Sequence, residues 1–244
     1  EEDFKNIQTL PNLDYKIMQG NSLIEEFHGI SLDIEKKDKQ QKDLFTGGSD
    51  LDALIDKLHQ RQNDFFNAEH PNDKKKKREA VETAIYNVFH NELEKKRNIS
   101  SIQAKEIESD LKEMTHGNKI RNFFPWKLYF ADVFREKGGF DMVIGNPPYI
   151  QLSKDKTVEN EYKLFLKTKF GTSGGRLNLF IFFIHEAMLI AKPFTGIISY
   201  IIPNTILTQE YYRQTRLHLS RDSSIIEITD YDDTYASFEN VSYD

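Results

Sequence analysis

Phe140-Asp141-Met142-Val143-Ile144-Gly145-Asn146-Pro147-Pro148-Tyr149-Ile150 is the stretch on which the reading of this chain turns. Phe140–Ile144 is a short apolar run that follows the turn-forming pair Gly138-Gly139, the pattern of a buried strand. Two prolines come next. They fix φ and remove two backbone donors, so the strand must end in a rigid corner. That corner presents one side-chain amide, Asn146, and one aromatic ring, Tyr149. In open α/β sheets ligands gather beyond the carboxyl ends of the strands, where such a corner would sit. The plainer reading is a strand-to-turn junction with incidental prolines and a surface tyrosine. Pro-Pro alone is common, but a buried strand followed by this tetrapeptide is much less so.

Working outward, residues 151–176 are polar and contain Gly171-Thr172-Ser173-Gly174-Gly175, expected to be a mobile loop. A helix at about 177–191, a turn at Lys192–Gly196 and a strand at Ile197–Ile202 closed by Pro203 follow. A helix near 208–220 and a strand near 224–230 complete the pattern. This alternation predicts an α/β fold with a parallel sheet. Upstream, Phe123–Phe134 is rich in aromatics and includes Trp126, expected to be a packing residue. Residues 31–116 are charge-dense. Leu51, Leu54, Ile55, Leu58 and Phe65 fall at helical spacing, as do Val81, Ala84, Ile85, Val88, Phe89 and Leu93. Ile102, Ile107, Leu111 and Met114 form a third run. These predict helices packed side by side, each with one apolar stripe. Gly47-Gly48 reads as a joint before the first of them. Residues 1–30 begin with a turn at Pro11-Asn12 and a short strand over Asp14–Gln19, beyond which lie Asn21-Ser22-Leu23. The chain therefore divides into 1–30, 31–116 and 117–244.

The 244 residues suffice for one large or two small domains. Absence of cysteine excludes a disulfide framework and a thiolate metal site, and is compatible with a reducing, cytoplasmic setting. The start, Glu1-Glu2-Asp3, has neither the basic nor the apolar region of a signal peptide. Leu177–Ala191, the most apolar stretch, is interrupted by His185 and Glu186. It is also shorter than the roughly 20 residues that cross a bilayer, so no membrane partner is expected. His185-Glu186 lacks a second histidine at position 189, which is Leu, and no metal is expected. Asp230, Asp232 and Asp233 read as a wet strand end rather than a cation site. The net charge is -6. A protein that grips a duplex by its phosphates carries a basic face, so if the substrate is DNA the gripping surface is expected elsewhere. The basic run Lys74–Arg78 reads better as the solvated first turn of a helix after Asp73 than as a phosphate contact.

The residue types of the corner suit one kind of chemistry. The amino nitrogen of adenine is a poor nucleophile because its lone pair is delocalised into the ring. A site that accepts hydrogen bonds from both amino protons shifts that lone pair toward a methyl donor. The Asn146 side-chain oxygen is one acceptor, and the Pro147 carbonyl is a natural second. The prolines keep both aimed at no ordering cost. Gly145 removes a Cβ where the donor must come close. Tyr149 offers a face on which a flipped-out base can stack.

This segment resembles motif IV of amino-methyltransferases. Its surroundings resemble adenine-specific (N6) DNA methyltransferases of the NPPY type, in particular the methyltransferase part of Type IIG combined restriction-modification enzymes. Asn178–Ala191 with Lys192-Pro193, Gly196 and Ile197–Pro203 resembles the family's motif V helix and next strand. Tyr211–Leu219 resembles a later helix. Leu10-Pro11-Asn12-Leu13 and Gly20-Asn21-Ser22-Leu23 resemble the segment around motif III. Residues 10–30 and 120–244 are well covered, and the helical middle only in texture.

The resemblance implies a site-specific DNA methyltransferase of bacterial, cytoplasmic setting, using S-adenosyl-L-methionine and double-stranded DNA. Asn146 and Pro147 would bind the adenine amino group and Tyr149 would stack on the base. Phe238 would be a second aromatic against it. Asn21 and Ser22 would contact the cofactor adenine, with Pro148 and Phe183 walling it. The implied fold is a partial Rossmann-like methyltransferase sheet with a helical insertion. The family's first strands, its glycine-rich cofactor loop and the acid that holds the cofactor ribose are missing, so the cofactor site is incomplete in this segment. Target recognition, and any associated endonuclease, would lie outside it. The segment alone is therefore expected to bind cofactor poorly and not to catalyse.

Two alternatives differ in class. Protein-glutamine and some RNA adenine methyltransferases carry a similar tetrapeptide, because a carboxamide nitrogen poses the same problem as an adenine amino group. Alternatively, the helices of 31–116 act as a coupling or protein-interaction module.

Overall fold

Three long helices carry the charge-dense segment. The computed structural model describes residues 18–28, 48–68, 71–95, 100–116, 121–152, 160–171 and 177–231. Pro11-Asn12, most of the strand expected over Asp14–Gln19, Thr172–Gly175, Asp232, Asp233 and Phe238 lie outside these. The chain divides into two units, Glu1–Phe140 and Asp141–Asp244.

In the first unit, α1 (Gly48–Phe66), α2 (Pro71–Lys95) and α3 (Ser101–His116) follow the apolar periodicity. Ile55, Leu58 and Phe65 of α1 are buried with Val81, Ile85 and Phe89 of α2. From α3, Leu111 and Met114 join them. Ser100 caps α3 reciprocally: its hydroxyl accepts from the Gln103 amide at 3.3 Å and its own amide donates to Gln103 Oε1 at 3.2 Å. Ile102, expected on the α3 stripe, is instead 70% exposed. Five residues before Ile107, it lies about 140° round the helix from the buried face.

The start and end of this unit are stitched together. The Phe124 amide donates to the Ile24 carbonyl at 2.6 Å, and Trp126 Nε1 donates to the Ser22 carbonyl at 3.0 Å. Phe27 packs on Phe123 and Phe89 with ring centroids 4.9 and 6.0 Å apart. The short helix α4 (Trp126–Tyr129) begins the aromatic stretch, and Trp126 stacks on Phe130 as a packing residue. Beneath it, Arg121 donates to Glu82 Oε2 at 2.6 Å, to the Met114 carbonyl at 3.3 Å and to the Tyr129 hydroxyl. Burial raises the Tyr129 pKa well above that of an ordinary phenol, so the ring stays neutral. The basic run occupies the first two turns of α2, where Lys77 pairs with Asp73 at 2.8 Å.

The second unit is α/β. Strands β1 (Met142–Gly145) and β2 (Ile197–Tyr200) pair in parallel, with Met142 opposite Ile197 and Gly145 opposite Tyr200. Parallel neighbours need a long crossover. Here it contains α5 (Asn160–Phe170) and α6 (Leu179–Ile190). Asn178 caps α6, its side chain accepting from the Phe180 amide. The turn into β2 needs Gly196, where a Cβ would lie 2.7 Å from backbone atoms of Lys192. After β2 come α7 (Thr205–Thr208), a 3-10 turn (Glu210–Tyr212) and α8 (Arg213–Asp222), where one helix was expected. Phe180, Ile181, Ile184, Ile206 and Tyr212 form one core cluster of this unit, and Leu152, Leu166, Phe170 and Phe182 are buried as well.

The strand expected near 224–230 is absent. Residues 224–231 are exposed and make no ladder, with Ile226 82% accessible. A strand needs a partner, and among the described residues none lies beside this one. No described helix is long and apolar enough to cross a membrane.

Within α6, Glu186 is buried and accepts from Lys169 of α5 at 2.8 Å. Its neighbour His185 is buried between Phe170 and His218, which pairs in turn with Asp222. Burial, and secondarily the charge of His218, depresses the His185 imidazole to about 4.

Two measurements follow. Arg121→Met removes a charged donor from the Glu82 carboxylate and is expected to lower stability by about 3 kcal/mol in urea unfolding. His185 binds its proton more weakly folded than unfolded. Its neutral form therefore stabilises the protein fully above pH 6.5, and this contribution is lost as pH falls from there toward 4. The loss is on the order of 1–3 kcal/mol, and His185→Gln should flatten it in urea titrations across that range.

Candidate active site

The corner after β1 is assembled by the neighbouring strand. Beyond the last pair of the register, the Ile201 amide donates to the Gly145 carbonyl at 3.2 Å, prolonging the ladder to the edge of Asn146. Gly145 lies directly under the Tyr200 ring. A Cβ added there would stand 2.8 Å from Tyr200 Cε1, so the protein's own packing demands glycine at this position. Burial, reinforced by the charge of Glu186, pushes the Tyr200 hydroxyl up to about 12. As a neutral donor it reaches the Phe183 carbonyl on α6 at 3.4 Å.

Of the tetrapeptide, Asn146 and Pro148 are exposed, Pro147 is buried and Tyr149 is half-buried. The Tyr149 ring stands edge-on to Phe180 at 6.4 Å. Its hydroxyl oxygen lies 2.9 Å from the Asn146 side-chain oxygen and 2.9 Å from the Ile201 carbonyl. The chain leaving the corner is tied to the start of α6. The Leu179 amide donates to the Ile150 carbonyl at 2.8 Å, and the Leu152 amide to the Leu177 carbonyl at 2.9 Å. The arrangement is an exposed carboxamide on a proline-stiffened backbone, clamped by hydrogen bonds on both sides, with an aromatic ring beside it. Such a group can accept hydrogen bonds from a planar amino substrate.

The other expected residues are placed differently. Phe183 is half-buried on α6, where its carbonyl accepts from the Tyr200 hydroxyl, whose ring lies over Gly145. Asn21 and Ser22 belong to the first unit and shape a turn there. Asn21 Oδ1 accepts from the Leu23 amide at 3.2 Å, and the Ser22 carbonyl accepts from Trp126. Phe238 lies outside the described residues. Sequence reading missed Tyr200 and the Ile201 carbonyl. The available signal was a strand ending in Tyr200-Ile201-Ile202-Pro203, whose closing proline marks where that strand, like β1, runs out.

The profile of a family described as Eco57I restriction-modification methylase matches residues 15–238. Modification methylase CviBIII of Paramecium bursaria Chlorella virus NC1A is 27% identical over 139 residues, 54% of this chain. The chain spans only 32% of that relative's length. No solved structure matches the chain significantly.

Gly145→Ala is expected to destabilise the second unit by about 1–3 kcal/mol through collision with the Tyr200 ring. Hydrogen exchange of the β1 amides reports this. Tyr200→Ala added to Gly145→Ala should restore part of the lost protection; an equal loss in both backgrounds would mean that the ring is not the obstacle.

Proposed function

The chain belongs to the Eco57I restriction-modification methylase family, and on that premise we propose that it transfers a methyl group from S-adenosyl-L-methionine to the N6 amino group of adenine in DNA. The observation that carries the reading is the exposed Asn146 carboxamide, held beside the Tyr149 ring at the carboxyl end of a parallel strand. On this reading the tetrapeptide Asn146-Pro147-Pro148-Tyr149 acts as an NPPY motif.

In this reading the chain's own groups do three things. Asn146 Oδ1 and the Pro147 carbonyl each accept a hydrogen bond from the amino group, holding both N–H bonds toward the protein. The nitrogen lone pair is thereby drawn out of conjugation and turned toward the incoming carbon. Tyr149 stacks on a base rotated out of the duplex, and Phe238 is proposed as a second aromatic against that base. Pro147 and Pro148 lack N–H groups, so the two residues after Asn146 supply no backbone donor to compete for its acceptor.

The cofactor, when bound, supplies an electrophilic methyl carbon on a sulfonium. The chemistry of the residues assigned to it suits a purine. Pro148 and Phe183 offer apolar surface, and Asn21 and Ser22 offer polar groups for the ring edge. The sheet is proposed to be part of a Rossmann-like methyltransferase sheet. Both faces of β1 are apolar, with Met142 and Ile144 exposed on one of them, which suits a strand covered on both sides.

The helices of 31–116 are proposed as an insertion between the core segments 1–30 and 117–244. In support, the residues flanking them are bonded to one another, through Phe124 to Ile24 and Trp126 to Ser22. DNA contacts through a target-recognition region, and cleavage by an associated nuclease, belong to the same proposal for the natural protein.

The test is to incubate the natural gene product carrying this sequence with labelled S-adenosyl-L-methionine and bacterial duplex DNA, then digest to nucleosides. N6-methyladenine is expected, with at least about a hundredfold loss in Asn146→Ala, the scale of removing one preorganised transition-state hydrogen bond. Label in RNA or in protein glutamine, with none in DNA, would overturn the reading.

A further inference from the structure

We infer that the Tyr149 hydroxyl is a positioning group that fixes which end of the Asn146 amide faces the substrate, acting from an anchor on the Ile201 carbonyl. The argument is one of proton counting. The Tyr149 oxygen lies 2.9 Å from Ile201 O and 2.9 Å from the atom assigned as Asn146 Oδ1. A phenol carries one proton, and a backbone carbonyl can only accept. If that proton went to Asn146, the tyrosine and Ile201 oxygens would face each other at hydrogen-bond distance with no proton between them. If it goes to Ile201, the tyrosine oxygen turns a lone pair to Asn146, and the contact is favourable only when Asn146 supplies a donor.

The two ends of a carboxamide are alike in shape and are told apart by their hydrogen-bond partners. The self-consistent chain is therefore Asn146 Nδ2–H to the Tyr149 oxygen, and Tyr149 O–H to the Ile201 carbonyl. The tyrosine oxygen and the Ile201 carbonyl then each face a donor. Asn146 is exposed, so its oxygen is left on the open side of the corner.

The anchor is itself fixed. Ile201 donates its amide to the Gly145 carbonyl at 3.2 Å, so one residue of the second strand holds both flanks of the corner. The chain ends on a carbonyl, which cannot pass a proton on. The hydroxyl therefore orients the amide and takes no proton from the reaction. An amide without that anchor can present its NH2 group to the amino substrate, donor against donor. This inference rests on the proposed reaction for its catalytic meaning, while the amide orientation itself does not.

The experiment has two arms. In the first, the full protein is labelled with 15N in asparagine side chains, and the Asn146 amide is assigned by its loss in Asn146→Ala. One Asn146 amide proton is expected downfield and slow to exchange with water, and fast in Tyr149→Phe. Fast exchange in both proteins would overturn the inference, whatever the enzyme's substrate.

In the second arm, single-turnover methylation is compared in two backgrounds. Tyr149→Phe keeps the ring. It should slow methyl transfer about tenfold, the factor carried by one hydrogen bond's worth of orientation, with DNA affinity retained. Asn146→Asp places an acceptor at both ends of the side chain, so adding Tyr149→Phe to it should change the rate less than about twofold. The same loss in both backgrounds would overturn the inference. Wild-type protein that shows the protected amide but methylates no adenine would instead refute the proposed reaction and leave the amide orientation standing.

Discussion

The hydrogen bond from the Ile201 amide to the Gly145 carbonyl is the constraint on which the candidate site depends. A two-stranded sheet is marginal by itself, and parallel pairing is slightly weaker than antiparallel. The pair survives because Tyr200 and Ile202 pack on the Phe180, Ile181 and Ile184 side of α6, where Tyr149 also lies. Packing of the strand, position of the corner and orientation of the amide thus share one set of contacts. The glycine, the tyrosine over it and the proline pair are coupled choices: a larger residue at 145 would displace the ring that holds β2 in place.

The first unit solves a different problem. Its helices are rich in charge and bury narrow stripes, and a few deep interactions organise them. Arg121 gathers a carboxylate of α2, a carbonyl of α3 and the Tyr129 hydroxyl into one buried knot. Desolvating such a group is expensive unless each donor finds a partner. The knot therefore selects one arrangement of α2, α3 and α4 more than it adds net stability. Around it the rings of Phe27, Phe89, Phe123 and Phe124 fill the remaining volume, and the strap of residues 18–28 is held to 121–130 by the Phe124–Ile24 backbone bond and the Trp126 indole.

The polar residues of α6 are buried on different terms. Glu186 and His185 sit in the middle of a strongly apolar helix, where the sequence pattern gives them no evident reason. Lys169 answers the carboxylate from α5. His185 is kept neutral by burial, with its ring against Phe170 and His218. A helix with these two residues on its buried side is held to its own protein by specific partners, which a bilayer would not provide.

By itself the sequence determined the class of fold, the strand that ends in the corner, the approximate extent of α6, and the three helical stripes. It also singled out Asn146-Pro147-Pro148-Tyr149. Each is a local property: periodicity, proline geometry or a cap is written in residues a few positions apart. The same locality explains the misses. Ile102 looked apolar enough for the α3 stripe, but its angle round the helix was wrong. Residues 224–230 have the composition of a strand, yet composition does not provide a neighbour to pair with. What only the tertiary structure decided are relations between distant residues: Tyr200 over Gly145, Ile201 against both Gly145 and Tyr149, and Arg121 between Glu82 and Tyr129. Such contacts depend on strand register and helix packing, which bring together groups up to 56 positions apart at the corner, from Gly145 to Ile201, and no short-range pattern encodes them.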